Sequence, residues 1–218
     1  MKQLLFEVVV SAAFMENAYI AYLAGHDQCV VIDPGFDYPE IENVIAQKQL
    51  TPVAILNTHG HADHIAGNEG LKRCWPDIPI VIGRGDAEKL TDPAGNLSAP
   101  FGLSLTSPPA DRVVDEGDCL EFAGIELEVR GTPGHSVGHV VFVWRAEPVI
   151  VFGGDVLFQG SIGRTDFPDG DFDQLAESIR TKLYTLPDTA IVLSGHGEAT
   201  TVGIEKKSNP FVRPEVAG

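Results

Sequence analysis

Three histidines and an aspartate occupy four of six consecutive positions in the stretch NTHGHADHIAG, residues 57–67. The whole chain has seven histidines, so the cluster is a strong local concentration. Imidazole nitrogens and carboxylate oxygens are suitable ligands for zinc, iron and manganese, and no cysteine accompanies them here. His59, His61, Asp63 and His64 are therefore predicted to supply part of a metal site.

Three further residues of ligand type lie elsewhere in the chain, each beside a glycine. They are His135 in GTPGHSVGH, Asp155 in VFGGDVLF and His196 in LSGHGEA. Each follows a predicted strand, as the first cluster does, and active sites are commonly built on loops at strand ends. We expect these three residues to complete the metal site. His139 begins a strand and is expected to be a hydrogen-bond partner rather than a ligand.

Short runs rich in Val and Ile, separated by turn signals, predict the strands that position these residues. The predicted strands are residues 4–10, 18–24, 29–32, 53–56, 79–82, 119–122, 125–130, 139–144, 149–152 and 190–193. Helical spacing of apolar residues predicts helices at 39–49, near 65–73 and at 171–184. These elements indicate an α+β protein in which two mixed sheets stack face to face with helices on the outer faces.

Residues 92–111 lack periodicity and are rich in Pro, Gly and Ser, so they are predicted to form a long loop. Both a functional cover over the site and a surface insertion between two halves are consistent with this composition. The length of 218 residues fits one domain with halves of about 1–110 and 111–218.

The string T-H-G-H-A-D-H, followed by a lone His, a lone Asp and a lone His, resembles the metal motifs of the metallo-β-lactamase superfamily over nearly the whole chain. The resemblance implies a four-layer αββα sandwich with two divalent metal ions at one edge of the sheets. It implies one metal on His59, His61 and His135, a second on Asp63, His64 and His196, and Asp155 bridging both. Zinc is the first expectation, with iron and manganese as alternatives, because these ligands accept all three.

Within the superfamily the chain looks like the glyoxalase II branch, the hydroxyacylglutathione hydrolases. Superfamily members that hydrolyse β-lactams commonly have Cys at the position of Asp155 and lack a His at that of His64. The strings GSIGRTDFPDGD (160–171) and GHGEATTVGIEKKSNPF (195–211) resemble the short bacterial type. Arg164 stands where the family places a residue that contacts glutathione. Asp166 replaces an aromatic residue, and about twenty residues follow His196 in place of a helical domain, so weaker glutathione recognition is expected.

The resemblance implies hydrolysis of an acyl thioester, S-lactoylglutathione or a related hydroxyacyl-glutathione, by attack of a metal-bridging hydroxide. Asp63 and Asp155 would be the catalytic carboxylates, and Arg164 would anchor a substrate carboxylate. The salt bridge that Arg164 could form with Asp166 is an equal alternative for that side chain.

Other functions on the same scaffold stay open. The main alternative is a persulfide dioxygenase, which resembles this chain in GRTDF but uses one iron held by two histidines and an aspartate. The complete second set of ligands favours hydrolysis. A superfamily nuclease is disfavoured by the net charge of −16, and a non-enzymatic binding module by the complete ligand set.

Composition limits the partners and the compartment. A net charge of −16 disfavours nucleic acid and anionic membranes, so a small-molecule thioester is the expected partner, and the oligomeric state is not determined. Cys29, Cys74 and Cys119 form no CxxC pair and are expected to be free buried thiols. Glu7 interrupts the apolar N-terminal run, which favours a strand over a signal peptide and a cytoplasmic location.

Overall fold

The computed structural model describes residues 2–214 and contains two six-stranded sheets. Strands of the first sheet lie side by side in chain order, the first three antiparallel and the rest parallel. They are β1 (Leu4–Val10), β2 (Asn17–Leu23), β3 (Gln28–Ile32), β4 (Thr51–Asn57), β5 (Ile80–Gly83) and β6 (Arg112–Val114).

The second sheet has the spatial order β14-β13-β10-β9-β8-β7, and β10 and β13 form its parallel pair. Its strands are β7 (Cys119–Phe122), β8 (Ile125–Gly131), β9 (Val140–Trp144), β10 (Ile150–Gly154), β13 (Ile191–Ser194) and β14 (Thr200–Thr201). A small hairpin, β11 (Leu157–Phe158) with β12 (Ser161–Ile162), follows β10. Both large sheets are mixed, as predicted.

Within residues 2–214, five α-helices flank the sheets. They are α1 (Tyr38–Lys48), α2 (Ala62–Ile65), α3 (Asn68–Cys74), α4 (Phe172–Ser178) and α5 (Val202–Ser208). Turns of 3-10 helix occupy Arg84–Thr91 and Ala99–Phe101, and α4 continues into a wider π-helical turn at Ile179–Leu183. The helix α1 begins with Pro39 in its first turn and buries Ile41 and Ile45, which are four residues apart and share one face.

Three apolar clusters account for the four layers. In β2, Tyr19 and Ala21 face a cluster shared by both sheets. Ala18 and Ile20 point to the opposite side of the sheet, into the cluster that includes the buried face of α1. This alternation follows from the two-residue period of a strand. The third cluster packs Leu175 of α4 against the second sheet. The αββα sandwich is therefore confirmed.

The predicted helix near 65–73 is divided into α2 and α3. Gly67 separates them, and its amide donates to the carbonyl of Pro34 at 2.7 Å. A Cβ at this position would lie 2.7 Å from the carbonyl oxygen of Gly35, so two backbone segments meet there. Short β6, β11, β12 and β14 were not predicted, because two or three residues give too little periodic signal.

The prediction of buried cysteines is wrong for two of the three. Cys29 lies inside β3, but Cys74 ends α3 and Cys119 begins β7, where both thiols are exposed. Both positions are at element ends, where a chain reaches the surface. None of the helices in residues 2–214 is long and apolar enough to cross a bilayer.

Candidate metal centre

The carboxyl ends of four strands meet and bring all seven predicted ligands together. His59, His61, Asp63 and His64 follow β4 of the first sheet. The second sheet contributes His135 after β8, Asp155 after β10 and His196 after β13. The two sheets therefore each supply about half of the cluster.

Donor atoms of these residues form three overlapping groups in which all atoms lie within 4.8 Å of one another. The groups are His59–His61–His135, His59–His64–Asp155 and Asp63–His64–His196. The first and third groups coincide with the two ligand triads that the resemblance implies. Because the groups share members, two cations held there would be neighbours.

Asp155 lies between the two triads. Its Oδ2 is 3.6 Å from His135 Nε2 of one triad and 3.5 Å from His196 Nε2 of the other. Its Oδ1 is 3.5 Å from His64 Nε2. A carboxylate has two oxygens and can bridge two cations, so this position suits a bridging ligand.

Unpaired donor atoms test whether the residues fit a metal. The Nε2 atoms of His59, His61 and His64 and the Oδ1 of Asp155 are buried, and none has a hydrogen-bond partner among the described residues. Buried polar atoms in folded proteins are nearly always paired, so several orphans in one place need an explanation. A bound cation explains them, because each atom can donate a lone pair to it.

Asp33 and Thr58 orient two of the imidazoles. Asp33 Oδ2 accepts from the Thr58 hydroxyl at 2.6 Å and lies 3.1 Å from His64 Nδ1. Since the hydroxyl proton of Thr58 points to Asp33, its oxygen can accept from His59 Nδ1 at 3.1 Å. In the neutral form of each ring the proton therefore lies on Nδ1, and Nε2 is then available to bind a cation.

Two other contacts orient ligands from the second sheet. His135 Nδ1 donates to the carbonyl of Arg164 at 2.8 Å, so its Nε2 carries no proton and can accept from His61 Nδ1 at 2.9 Å. His139 Nε2 accepts from the backbone amide of Asp155 at 3.1 Å. The expected role of His139 as a hydrogen-bond partner is thereby confirmed.

Electrostatics keep two of the histidines neutral. Burial, followed by the positive charge of His64, lowers the pKa of His59 well below its usual value. Burial and then the neighbouring His135 lower the pKa of His61 to about 3. Neutral imidazole is the form that binds metals, so both rings are ready to act as ligands at neutral pH.

The carboxylates of the cluster concentrate negative charge. Burial opposes ionisation of Asp155, but the charge and hydrogen bond of His64, together with the charges of His135 and His196, outweigh burial and hold the pKa of Asp155 below its usual value. The same balance lowers the pKa of Asp63. Burial opposes the charged form of His64 too, yet Asp63 and Asp155 raise its pKa well above the usual value. The two carboxylates therefore favour a positive charge beside them, which a divalent cation can supply.

Arg164 forms the salt bridge with Asp166 that the sequence analysis gave as one of two alternatives. Its guanidinium forms two hydrogen bonds to Asp166, at 2.7 and 2.8 Å, and lies 4.1 Å from the ring centre of Phe167. Arg164 also lines the cavity that opens above the cluster. The side chain is therefore held in a fixed orientation at the mouth of the site.

A network around Asp86 was missed by the sequence analysis. Asp86 is fully buried and accepts from the amides of Gly60 and Gly138, each at 2.8 Å, and from the Ser136 hydroxyl. The Nζ of Lys89 lies 3.1 Å from Oδ1 of Asp86. One carboxylate therefore joins the loop of His59 and His61 to the loop of His135.

Glu16 was also missed. It is fully buried in the turn before β2, and neither carboxylate oxygen has a partner among the described residues. Burial raises the pKa of Glu16 well above its usual value, so the neutral acid is favoured. Its backbone pairs with that of His196, and a Cβ on Gly35 would lie 2.0 Å from its Oε2. Glu16 therefore fills space directly behind the cluster.

A cavity of about 370 Å³ opens above the donor groups. His61, Asp63, His135, Asp155 and His196 line its floor. Its sides come from the β1–β2 turn, the loop after β3, the loop between β5 and β6, and the segment from β11 to residue 167. The loop at 92–111 thus contributes directly to the site.

Comparison with known proteins finds a family and relatives that match most of this chain. The family model described as "Metallo-beta-lactamase superfamily" matches residues 12–196. A probable metallo-hydrolase of Bacillus subtilis, YqgX, is 42% identical over 197 residues, which are 90% of this chain and 92% of that protein. The hydroxyacylglutathione hydrolase GloC of Haemophilus influenzae is 37% identical, over 94% of this chain and 97% of GloC.

Solved structures give the same fold. The B3 metallo-beta-lactamase BLEG-1 superposes with a TM-score of 0.91 at 38% identity, covering 95% of this chain and 99% of BLEG-1. The protein TTHA1623, solved in a di-iron-bound form, superposes with a TM-score of 0.82 at 35% identity, covering 94% and 100% of the two chains. Similar chains thus include one that holds two metal ions.

Proposed function

The chain belongs to the metallo-beta-lactamase superfamily, and we propose that it is a dinuclear metal-dependent hydrolase of acyl thioesters, such as S-lactoylglutathione. The observation that carries the proposal is the convergence of two ligand triads with Asp155 between them. Relatives support it: GloC is a hydroxyacylglutathione hydrolase, and TTHA1623 binds two irons.

Seven residues would hold the metals, as two triads and a bridge: His59, His61 and His135; Asp63, His64 and His196; and Asp155. Two divalent ions held there would supply a water of lowered pKa and positive charge that faces the carbonyl oxygen of the thioester. We expect zinc first, with iron or manganese as alternatives, because imidazole and carboxylate accept all three.

The chain's own residues would position the water, the metal ligands and the substrate. Asp63 lines the cavity and its Oδ2 lies 3.3 Å from His196 Nε2, so it can also accept a hydrogen bond from the attacking water. Asp33 and His139 keep His64 and Asp155 in position. Arg164 would bind a carboxylate of the thiol carrier, and its existing pairing with Asp166 means that this anion must compete for the guanidinium.

The test measures metal content and thiol release on the same preparation. Freshly purified protein should contain two metal ions per chain by elemental analysis and should release glutathione from S-lactoylglutathione. Asp155→Ala should lose metal and at least about 100-fold in kcat/KM, since even supporting partners of metal ligands cost 10- to 100-fold. Asp188→Ala, which removes an exposed partner of Lys206, is the matched control and should keep both. An Asp155→Ala variant with normal circular dichroism and full activity would refute the proposal.

Two other activities are distinguished by the same preparation. One iron per chain, no thiol release and oxygen uptake with glutathione persulfide would instead indicate a persulfide dioxygenase. Hydrolysis of β-lactams is the second candidate, because BLEG-1 has 38% identity and a TM-score of 0.91. Faster turnover of a chromogenic cephalosporin than of every thioester tested would favour it.

A further inference from the structure

We infer that the site selects thioesters whose acyl group is bulky and apolar, and that an apolar wall built largely by the loop after β5 makes this selection. The wall consists of Phe14, Phe36, Leu97, Phe101 and Leu103. The inference rests on the proposed thioester hydrolysis and names the substrate class for that same site.

The wall presents large apolar side chains to solvent. Phe14 is 38% exposed, Phe101 63% and Leu103 40%, although all three line a cavity above the ligand cluster. The aromatic side chains of the wall contact one another: the Phe14 ring centre is 5.4 Å from that of Phe36 and 5.9 Å from that of Phe101. A cluster of exposed apolar residues beside a reactive site is typical of a surface that a ligand covers.

The loop that carries most of the wall is fixed in place. Asn96 is fully buried, and its side-chain amide nitrogen donates to the backbone carbonyls of Lys89 at 3.2 Å and Leu105 at 2.9 Å. Its Oδ1 accepts from the amide of Ser98 at 3.0 Å. These bonds cross the base of the loop, so the wall is preformed.

The same loop is attached directly to the ligand cluster. The carbonyl of Asn96 accepts from the amide of Ala62 at 2.9 Å, and Ala62 stands between His61 and Asp63. Leu97, the next residue, has a φ of +66°, a conformation that bulky side chains rarely adopt. Strain of this kind persists where the surroundings impose it, and here it places a leucine in the cavity lining.

Beyond the candidate metal ligands, the cavity lining offers little positive charge of its own. Among the described residues that line it, Arg164 alone contributes a lysine or arginine charge, and Asp166 already pairs with that guanidinium. One shared cation can anchor the carrier, so the apolar wall must supply much of the remaining binding free energy. We therefore place the carrier at Arg164 and the acyl group at the wall.

The first experiment compares S-acetyl-, S-lactoyl- and S-hexanoylglutathione, which share one carrier. Since burial of a methylene is worth roughly fourfold in affinity, kcat/KM for the hexanoyl thioester should exceed that for the acetyl thioester by at least about tenfold. Phe101→Ala should remove most of this advantage, mainly through KM. Phe211→Ala, which removes a 52% exposed phenylalanine outside the cavity, is the control.

The second experiment needs no catalysis. Calorimetry on the protein as purified should show S-hexylglutathione, a thioether that is not hydrolysed, binding at least about tenfold more tightly than S-methylglutathione, and Phe101→Ala should remove most of the difference. Equal affinities, or hydrolysis without acyl preference, would overturn the inference while leaving thioester hydrolysis intact. Selective binding of S-hexylglutathione without hydrolysis of any thioester would support the apolar wall and overturn the proposed function.

Discussion

Asp86 is the residue that links the two ligand-bearing loops. Burial alone would raise the pKa of this carboxyl, but the nearby Lys89 ammonium and hydrogen bonds from Ser136 and Gly60 hold it below its usual value. Asp86 is therefore ionised at neutral pH and accepts from both backbone amides at once. A fully buried charge is stable only when it is paired and hydrogen-bonded in this way.

Replacing Asp86 tests its positioning role. Asp86→Ala leaves the amides of Gly60 and Gly138 without their acceptor and removes one of the two carboxylates that pair with Lys89, so the free energy of unfolding should fall by about 3 kcal/mol. Zinc affinity should fall about tenfold, because the loops of His59 and His135 lose their common support. Urea unfolding of metal-free protein and a competitive chelator titration measure these two effects.

The matched control is Glu69→Ala, which removes an exposed helical ion pair with Arg73 at 3.5 Å. It should change the unfolding free energy by less than about 0.5 kcal/mol and leave zinc affinity unchanged. Unaltered zinc affinity in Asp86→Ala would show that the loops hold their positions without this carboxylate.

At the scale of elements, α4 fixes the loop that precedes His135. The amide of Asp171, the N-cap of α4, donates to the carbonyl of Gly134 at 2.7 Å, and Ser178 donates to the carbonyl of Pro133 at 2.8 Å. Gly134 itself has a φ of +129°, and a Cβ there would lie 2.2 Å from the backbone nitrogen of Leu175. The helix and the loop are therefore in direct backbone contact.

This contact predicts a large effect of one methyl group. Gly134→Ala should cost about 3 kcal/mol or more in unfolding free energy, because backbone atoms of α4 must move away. Gly117 provides the comparison, since its φ is +86° but nothing lies within 4 Å of its Cβ position. Gly117→Ala should cost only about 1 kcal/mol, the strain of the backbone conformation. Equal losses in chemical denaturation would mean that strain, rather than the clash, determines the effect.

At the scale of the whole molecule, the ligand cluster joins the two sheets. Four of the proposed ligands follow β4 in the first sheet, and the other three follow strands of the second. The apolar cluster between the sheets, which includes Tyr19 packed on Phe152 at 5.8 Å, already holds them together. Metal bound at their common edge would add to the free energy of this association, because it binds the folded chain and not the unfolded one.

Removal of metal should therefore destabilise the whole domain. At a metal concentration 100 times the Kd, binding contributes about 2.7 kcal/mol, which corresponds to a fall of roughly 5–10 °C in Tm on chelation for a chain of this size. Asp155→Ala should already have the lower Tm and should not respond to chelator. Calorimetric scans with and without chelator measure this change in Tm. An unchanged Tm in the wild-type chain would contradict metal binding.

Local strings in the sequence were sufficient to predict much of the fold. Val- and Ile-rich runs located the long strands, and the spacing of Ile41 and Ile45 located α1, since each signal lies within a few residues. Short elements such as β6 and β14 carry too few residues for a pattern. The division of the helix near 65–73 depends on the close approach of Gly67 to Pro34, which no local pattern records.

The sequence by itself determined the family and the ligand candidates, because these residues lie in short motifs that directly follow four strands in the chain. Only the tertiary structure decided what supports and surrounds them. Asp86 and Gly138 are 52 residues apart, yet one hydrogen bond joins them. Phe14 meets Phe101 only when the β1–β2 turn and the loop after β5 come together above the cluster. Contacts between distant segments arise from packing, and packing is a property of the folded chain rather than of any short stretch of it.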